Sequence, residues 1–216
     1  RMEGYNGDYS KARKDAMNVG MQNGYKAQDT MALTDTYTSL AGTRGQQKTW
    51  NDVQSIQNAG RAMGVDPNSL AVAGGTMQRL GALKDGEQRK FASLLAGAIK
   101  KEGMQGRDRE LIEAVSGLAQ SSARGQLRLS ENELNQLVGL QTMLGSKEAG
   151  FKGQKGADVL ASIDQGIKGG DNNLDILLGW GSEFQGMEGR AQIERMKSRG
   201  MSDPENVKRI FNNLDK

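Results

Sequence analysis

The chain has 216 residues, 36% of them hydrophobic and 5% aromatic, with 30 glycines, 2 prolines and neither cysteine nor histidine. The missing residue types exclude disulfides, thiolate and imidazole chemistry, Ser-His triads and ordinary zinc sites. The formal charge is only +3, and charges of both signs alternate, as in Lys100-Lys101-Glu102, which favours solvated helix faces over a dedicated nucleic-acid surface.

Residues 1–48 are polar and contain all four tyrosines of the chain. Their apolar residues form only thin helical stripes, and the threonines between the stripes lower helix propensity. The pattern predicts a polar helical arm or linker, or a pair of loosely packed helices. Because residue 1 already falls inside a helical pattern, we expect the chain to be a piece of a longer protein.

A globular helical domain is predicted over residues 49–216. Apolar residues recur there at helical spacing, glycines end the segments, and helix caps stand at Asp66, Ser130, Asp171 and Ser202. No segment alternates with the period of a strand, and no apolar run is long enough to span a bilayer. We therefore predict an all-α fold, an irregular bundle of about nine to eleven short helices arranged as helical hairpins.

The predicted helices do not repeat at a fixed interval. The four caps are separated by about 64, 41 and 31 residues, and these spacings favour an irregular bundle over a regular solenoid. Gly74 and Gly75 stand inside one predicted helix, where each costs about 1 kcal/mol relative to alanine. A close crossing of two helices would explain them.

Glu113 is the one candidate for a catalytic acid. The run EAVSGLAQ, residues 113–120, resembles the Glu-Ser and Gly-Leu-x-Gln segments of lysozyme-like lytic transglycosylases, in which a protonated glutamate donates to the glycosidic oxygen. Here both segments lie in one helix, without the chain between them that builds a cleft. The sequence therefore predicts no catalytic residue. Peptidoglycan release by the purified protein, lost in Glu113→Gln, would restore the cell-wall hydrolase interpretation.

Other ligand patterns are incomplete. The acidic and amide residues at 171–175 lack the ligand order of an EF-hand, so we predict no metal. No glycine-rich stretch matches a phosphate-binding loop, and we predict no cofactor. A long irregular loop is predicted over residues 146–156, and its lysines favour a solvated surface, with contact to a polyanion as the alternative. These lysines are Lys147, Lys152 and Lys155.

Trp180 stands between Gly179 and Gly181, after a short apolar run. Core packing is the first interpretation of this side chain, and Trp180→Ala then costs about 3–5 kcal/mol of stability. Contact with a partner protein is the second interpretation, because an aromatic ring on a glycine-flanked turn is suited to anchor an interface.

Five segments together resemble the helical region of bacteriophage and prophage tail tape measure proteins. They are MGVDPNSLAVAGGTMQRLG (63–81), LLAGAIKKEGMQGRDRELIEAVSGL (94–118), GADVLASIDQGIKGGDNN (156–173), LLGWGSEFQGMEGR (177–190) and GMSDPENV (200–207). The resemblance extends from about residue 50 to residue 214 and includes no catalytic signature.

This resemblance implies a non-enzymatic structural protein that sets tail length during assembly and leaves with the DNA at ejection. It implies the virion tail as the location, with the host bacterial cytoplasm during assembly. The partners it implies are tube, chaperone or baseplate components. From the residues themselves we predict no specific nucleic-acid or small-molecule site, and the thin aliphatic core leaves self-association as a further contact. The alternative is a helical protein–protein interaction module, an adaptor or a regulator.

Overall fold

The computed structural model describes residues 7–42, 45–124, 128–170, 178 and 186–214. These residues form ten α-helices and two short 3-10 helices, Ala149–Phe151 and Gly200–Ser202. The predicted all-α bundle of helical hairpins is confirmed. The α-helices are α1 Tyr9–Asn23, α2 Ala27–Ala41, α3 Gln46–Met63, α4 Pro67–Leu80, α5 Gln88–Glu102, α6 Asp108–Ala123, α7 Glu131–Lys147, α8 Gln154–Gly169, α9 Gly186–Arg199 and α10 Pro204–Leu214.

The first eight helices form four hairpins that stack in two layers. One layer contains the odd-numbered helices, packed in the order α1, α3, α5, α7. The other layer contains the even-numbered helices, packed in the order α2, α4, α6, α8. The two helices of each hairpin also contact each other. This is the arrangement of α-solenoids, in which each hairpin contacts its neighbours. The hairpins begin at Tyr9, Gln46, Gln88 and Glu131, which are 37, 42 and 43 residues apart.

The stack is therefore more regular than the cap spacings indicated. The caps at Asp66 and Ser130 start α4 and α7. The starts of α3, α5, α6 and α8 carry no side-chain hydrogen bond to the helix N-terminus. The spacing of caps along the sequence therefore misses these four helix starts. The helices themselves repeat at about 40 residues, a length typical of helical-hairpin repeats.

The turns at the ends of α1 and α3 have the same construction, 40 residues apart. Gly24 and Gly64 both have positive φ, +75° and +71°, and end their helices. The following residue then donates its backbone N–H to the carbonyl of Gly20 or of Gly60, each at 2.8 Å, which is the Schellman arrangement. A Cβ at Gly60 would stand 2.9 Å from the carbonyl oxygen of Val65, so this glycine lets the turn close.

Helices α1 and α2 belong to the stack. Tyr37 of α2 is fully buried, and its hydroxyl donates to Asp52 Oδ2 of α3 at 2.9 Å. Gly75 of α4 lies against α2, where an added Cβ would stand 2.9 Å from Leu40 Cβ, which confirms the predicted close crossing. The predicted boundary between the arm, residues 1–48, and the globular domain, residues 49–216, falls inside α3. Tyr37 and Trp50, one on each side of this boundary, belong to the same hydrophobic core.

The C-terminal helices are fastened to α8 through a buried carboxylate. Asp164 of α8 has no exposed surface; its Oδ1 accepts from the backbone N–H of Met201 at 2.7 Å and its Oδ2 from Lys168 Nζ at 2.7 Å. Asn206 of α10, also buried, donates to the carbonyls of Met196 and Gly200, each at 2.8 Å. These bonds hold the 3-10 helix at 200–202 and the start of α10 against the last hairpin.

Candidate functional site

A groove of about 420 Å³ lies between α4 and α6, neighbours in the even-numbered layer. Asp66 fixes the start of α4, because its Oδ1 accepts a 3.1 Å hydrogen bond from the backbone N–H of Asn68 and Pro67 occupies the first helical position. Val72 lines the groove and is 45% exposed. The groove thus combines an accessible apolar side chain with polar edges.

Glu113, the predicted candidate for a catalytic acid, lies in this groove. Arg109 Nε donates to Glu113 Oε1 at 2.7 Å, and the two side chains are 75% and 57% exposed. This hydrogen bond raises the pKa of Arg109. A glycosidase acid needs an apolar pocket that keeps it protonated, whereas Glu113 faces water and a guanidinium. The surroundings of Glu113 are therefore those of an exposed ion pair at the edge of the groove.

Glu102, at the end of α5, is by contrast a buried carboxyl group. It is 1% exposed, and its Oε2 accepts from the backbone N–H of Gly153 at 3.3 Å. Burial raises the pKa of Glu102, and the Gly153 hydrogen bond opposes that rise. Gln141 of α7 donates to the Gly153 carbonyl at 3.0 Å. Glu102 and Gln141 together fasten the turn that leads into α8.

The interpretation of Lys100-Lys101-Glu102 as a solvated face was therefore wrong for Glu102. Its position could have been inferred from helical spacing, because it follows the buried Leu95 and Ile99 by seven and three residues and so lies on their side of α5. The alternation of charge concealed this, since a lysine pair beside a glutamate is typical of a surface.

The loop predicted over residues 146–156 is mostly helical. Helix α7 continues to Lys147, a 3-10 helix covers Ala149–Phe151, and α8 starts at Gln154. Lys152 is half-buried and its charge lowers the pKa of Glu102, which gives it a contact within the fold. Lys147 and Lys155 are exposed, as predicted for a solvated surface.

Two of the predicted candidates lie outside the described residues: the acidic and amide stretch 171–175, and Trp180. Among the described residues no group of acidic side chains is placed to hold a metal ion. In the same part of the chain no helix is long and apolar enough to cross a membrane.

Comparison with known proteins gives no relative for this chain. It matches no protein-family model, no curated protein and no solved structure.

Proposed function

We propose that the chain is a non-enzymatic structural domain of a phage tail tape measure protein, which takes part in tail assembly, in the determination of tail length and in genome ejection. It acts in the virion tail after assembly in the cytoplasm of the host bacterium. Its partners are other tail proteins, namely tube, chaperone or baseplate components, and further copies of itself.

The observation that carries the proposal is the position of the resembling segments. The segment at 63–81 includes the turn between α3 and α4, and the segment at 94–118 includes the turn between α5 and α6. The segment at 200–207 covers a 3-10 helix and the start of α10. The resembling segments include these junctions as well as stretches of the helices beside them, which supports a shared scaffold. Stacked hairpins act by offering extended surfaces to partners.

The second candidate is a helical adaptor or regulator that binds a host protein, and the groove between α4 and α6 favours it. Its exposed Val72 lies among polar side chains, a composition typical of protein interfaces. A pull-down from host lysate separates the two functions. An adaptor captures a specific host protein through wild type and loses it in Val72→Asp, whereas a tail domain captures tail proteins from cells in which the phage is assembling.

The full reading frame that contains the chain tests the first proposal. A ruler must extend along a tail tube, and an α-helix rises only about 1.5 Å per residue. We therefore expect a frame many times longer than 216 residues, with genes for other tail proteins beside it. A frame of ordinary length, with no tail genes around it, contradicts the proposal.

A further inference from the structure

Three arginine side chains from distant parts of the chain line one cavity of about 610 Å³. Arg79 belongs to the last turn of α4, Arg128 precedes α7, and Arg199 ends α9. All three are exposed. The volume lies within the range of about 300–1,000 Å³ that is usual for small-ligand pockets.

One backbone hydrogen bond brings the first two arginines together. The N–H of Leu129 donates to the carbonyl of Leu80 at 2.8 Å, which fixes the chain before α7 against the end of α4. Arg79 and Arg128 each directly precede a residue of this bonded pair, and both line the cavity. The backbone bond thus holds the two arginines on the same side of the stack.

The carboxylates near the cavity leave two of the arginines without an ion pair. Glu133 also lines the cavity, but its Oε2 accepts from the backbone N–H of Ser130 at 2.7 Å as part of the capping box of α7. Asp203 approaches Arg199 at 3.9 Å. Among the described residues no carboxylate forms an ion pair with Arg79 or Arg128.

We propose that this cavity, the arginine pocket, binds a small ligand that carries one or two phosphate groups. Guanidinium groups donate paired N–H bonds that match phosphate oxygens. A small ligand fits better than a polynucleotide, because the pocket is concave and local while charges elsewhere on the chain alternate in sign.

Titration calorimetry with inorganic pyrophosphate at low ionic strength tests the arginine pocket. We expect saturable binding with one site per chain and a rise in melting temperature, because a ligand that binds only the folded state stabilises it. The double variant Arg79→Gln with Arg128→Gln should weaken binding by about tenfold or more. Both substituted side chains are exposed, so the double variant should melt like wild type without pyrophosphate.

The matched control is Arg13→Gln with Lys147→Gln, which removes the same charge from exposed positions on α1 and at the far end of α7. It should bind pyrophosphate like wild type. Equal weakening in both double variants would mean non-specific attraction and would overturn the proposal, as would the absence of saturable binding. A single-stranded oligonucleotide that displaces pyrophosphate stoichiometrically, and binds far more tightly, would overturn the assignment to a small ligand.

Discussion

At the scale of single residues, Glu102 makes the stability of the fold depend on pH. Burial raises the pKa of Glu102 above the ordinary value of 4.5, so the folded chain keeps this proton at pH values where the unfolded chain has released it. Its contribution to stability is present below the ordinary carboxyl pKa and is lost as the pH rises through the folded-state pKa. Two buried oxygens of this cluster, Glu102 Oε1 and Gln141 Oε1, accept no hydrogen bond from the described residues. A protonated Glu102 adds an O–H donor to the cluster.

We therefore expect Glu102→Gln to unfold at higher urea concentration than wild type at neutral pH, with the difference disappearing near pH 4. The amide oxygen can still accept from Gly153, and no buried charge remains. Glu113→Gln is the control, because Glu113 is exposed, and it should show no such gain. A Glu102→Gln protein that loses stability at neutral pH would mean that the ionised carboxylate is favoured in the fold.

Glycines of the stack divide into those that need to be small and those that do not. An added Cβ at Gly97, on the exposed side of α5, meets no atom within 4 Å. An added Cβ at Gly156 of α8 would collide with the backbone carbonyl oxygen of Phe151. We expect Gly97→Ala to raise the free energy of unfolding by about 0.5–1 kcal/mol and Gly156→Ala to lower it. Urea denaturation measures both, and a shift of the same sign in the two variants would contradict the packing described.

At the scale of helices, the attachment of α2 depends on a buried polar cluster. The hydroxyl of Tyr37 lies among Asp52, Gln78 and Gln88, and so joins α2 to α3, α4 and α5. Tyr37→Phe leaves buried polar atoms without this partner and should cost about 1–3 kcal/mol of unfolding free energy. Tyr9→Phe, at a side chain that is 76% exposed, is the matched control and should change nothing measurable. Equal stability of the two variants would mean that α2 is not part of the cooperative unit.

Helices were predictable from the sequence where the local chemistry is distinctive. The predicted caps Asp66 and Ser130 stand at helix starts, the first followed by Pro67 and the second in a capping box with Glu133. The prediction of a loop over residues 146–156 was wrong because a glycine can either end a helix or make room for a neighbouring group inside one. Gly153 has positive φ and precedes α8, while Gly156 lies inside α8, where it admits the Phe151 carbonyl. The sequence alone does not separate a glycine that ends a helix from one that makes room for a neighbour.

The groove and the arginine pocket were less predictable than the helices, because they depend on contacts between distant segments. Arg79, Arg128 and Arg199 are isolated basic residues in the sequence, and only the Leu129–Leu80 backbone bond and the packing of α9 bring them to one cavity. For the groove, the sequence indicated some of the lining residues but not that they lie together. Nothing in the spacing of Val72 and Glu113 indicates that α4 and α6 are neighbours, since that follows from the alternation of layers.

At the scale of the whole molecule, the stack is a modular scaffold. Each hairpin contacts mainly its neighbours, so the stack is divided into units of one hairpin each. Residues 46–87 are one such unit, containing α3, α4 and the connection to α5. This modularity allows a direct test of the proposed function in the intact protein.

The proposed tail function is tested most directly by tail length, measured in a phage whose genome encodes the chain after an in-frame deletion of residues 46–87. Electron microscopy of purified particles should show tails that are uniformly shorter, by at most about 60 Å if the deleted residues contributed an extended helix, or particles that lack tails because assembly fails. Tails of unchanged length on infectious particles would contradict the central claim that this chain is a structural part of the tail ruler.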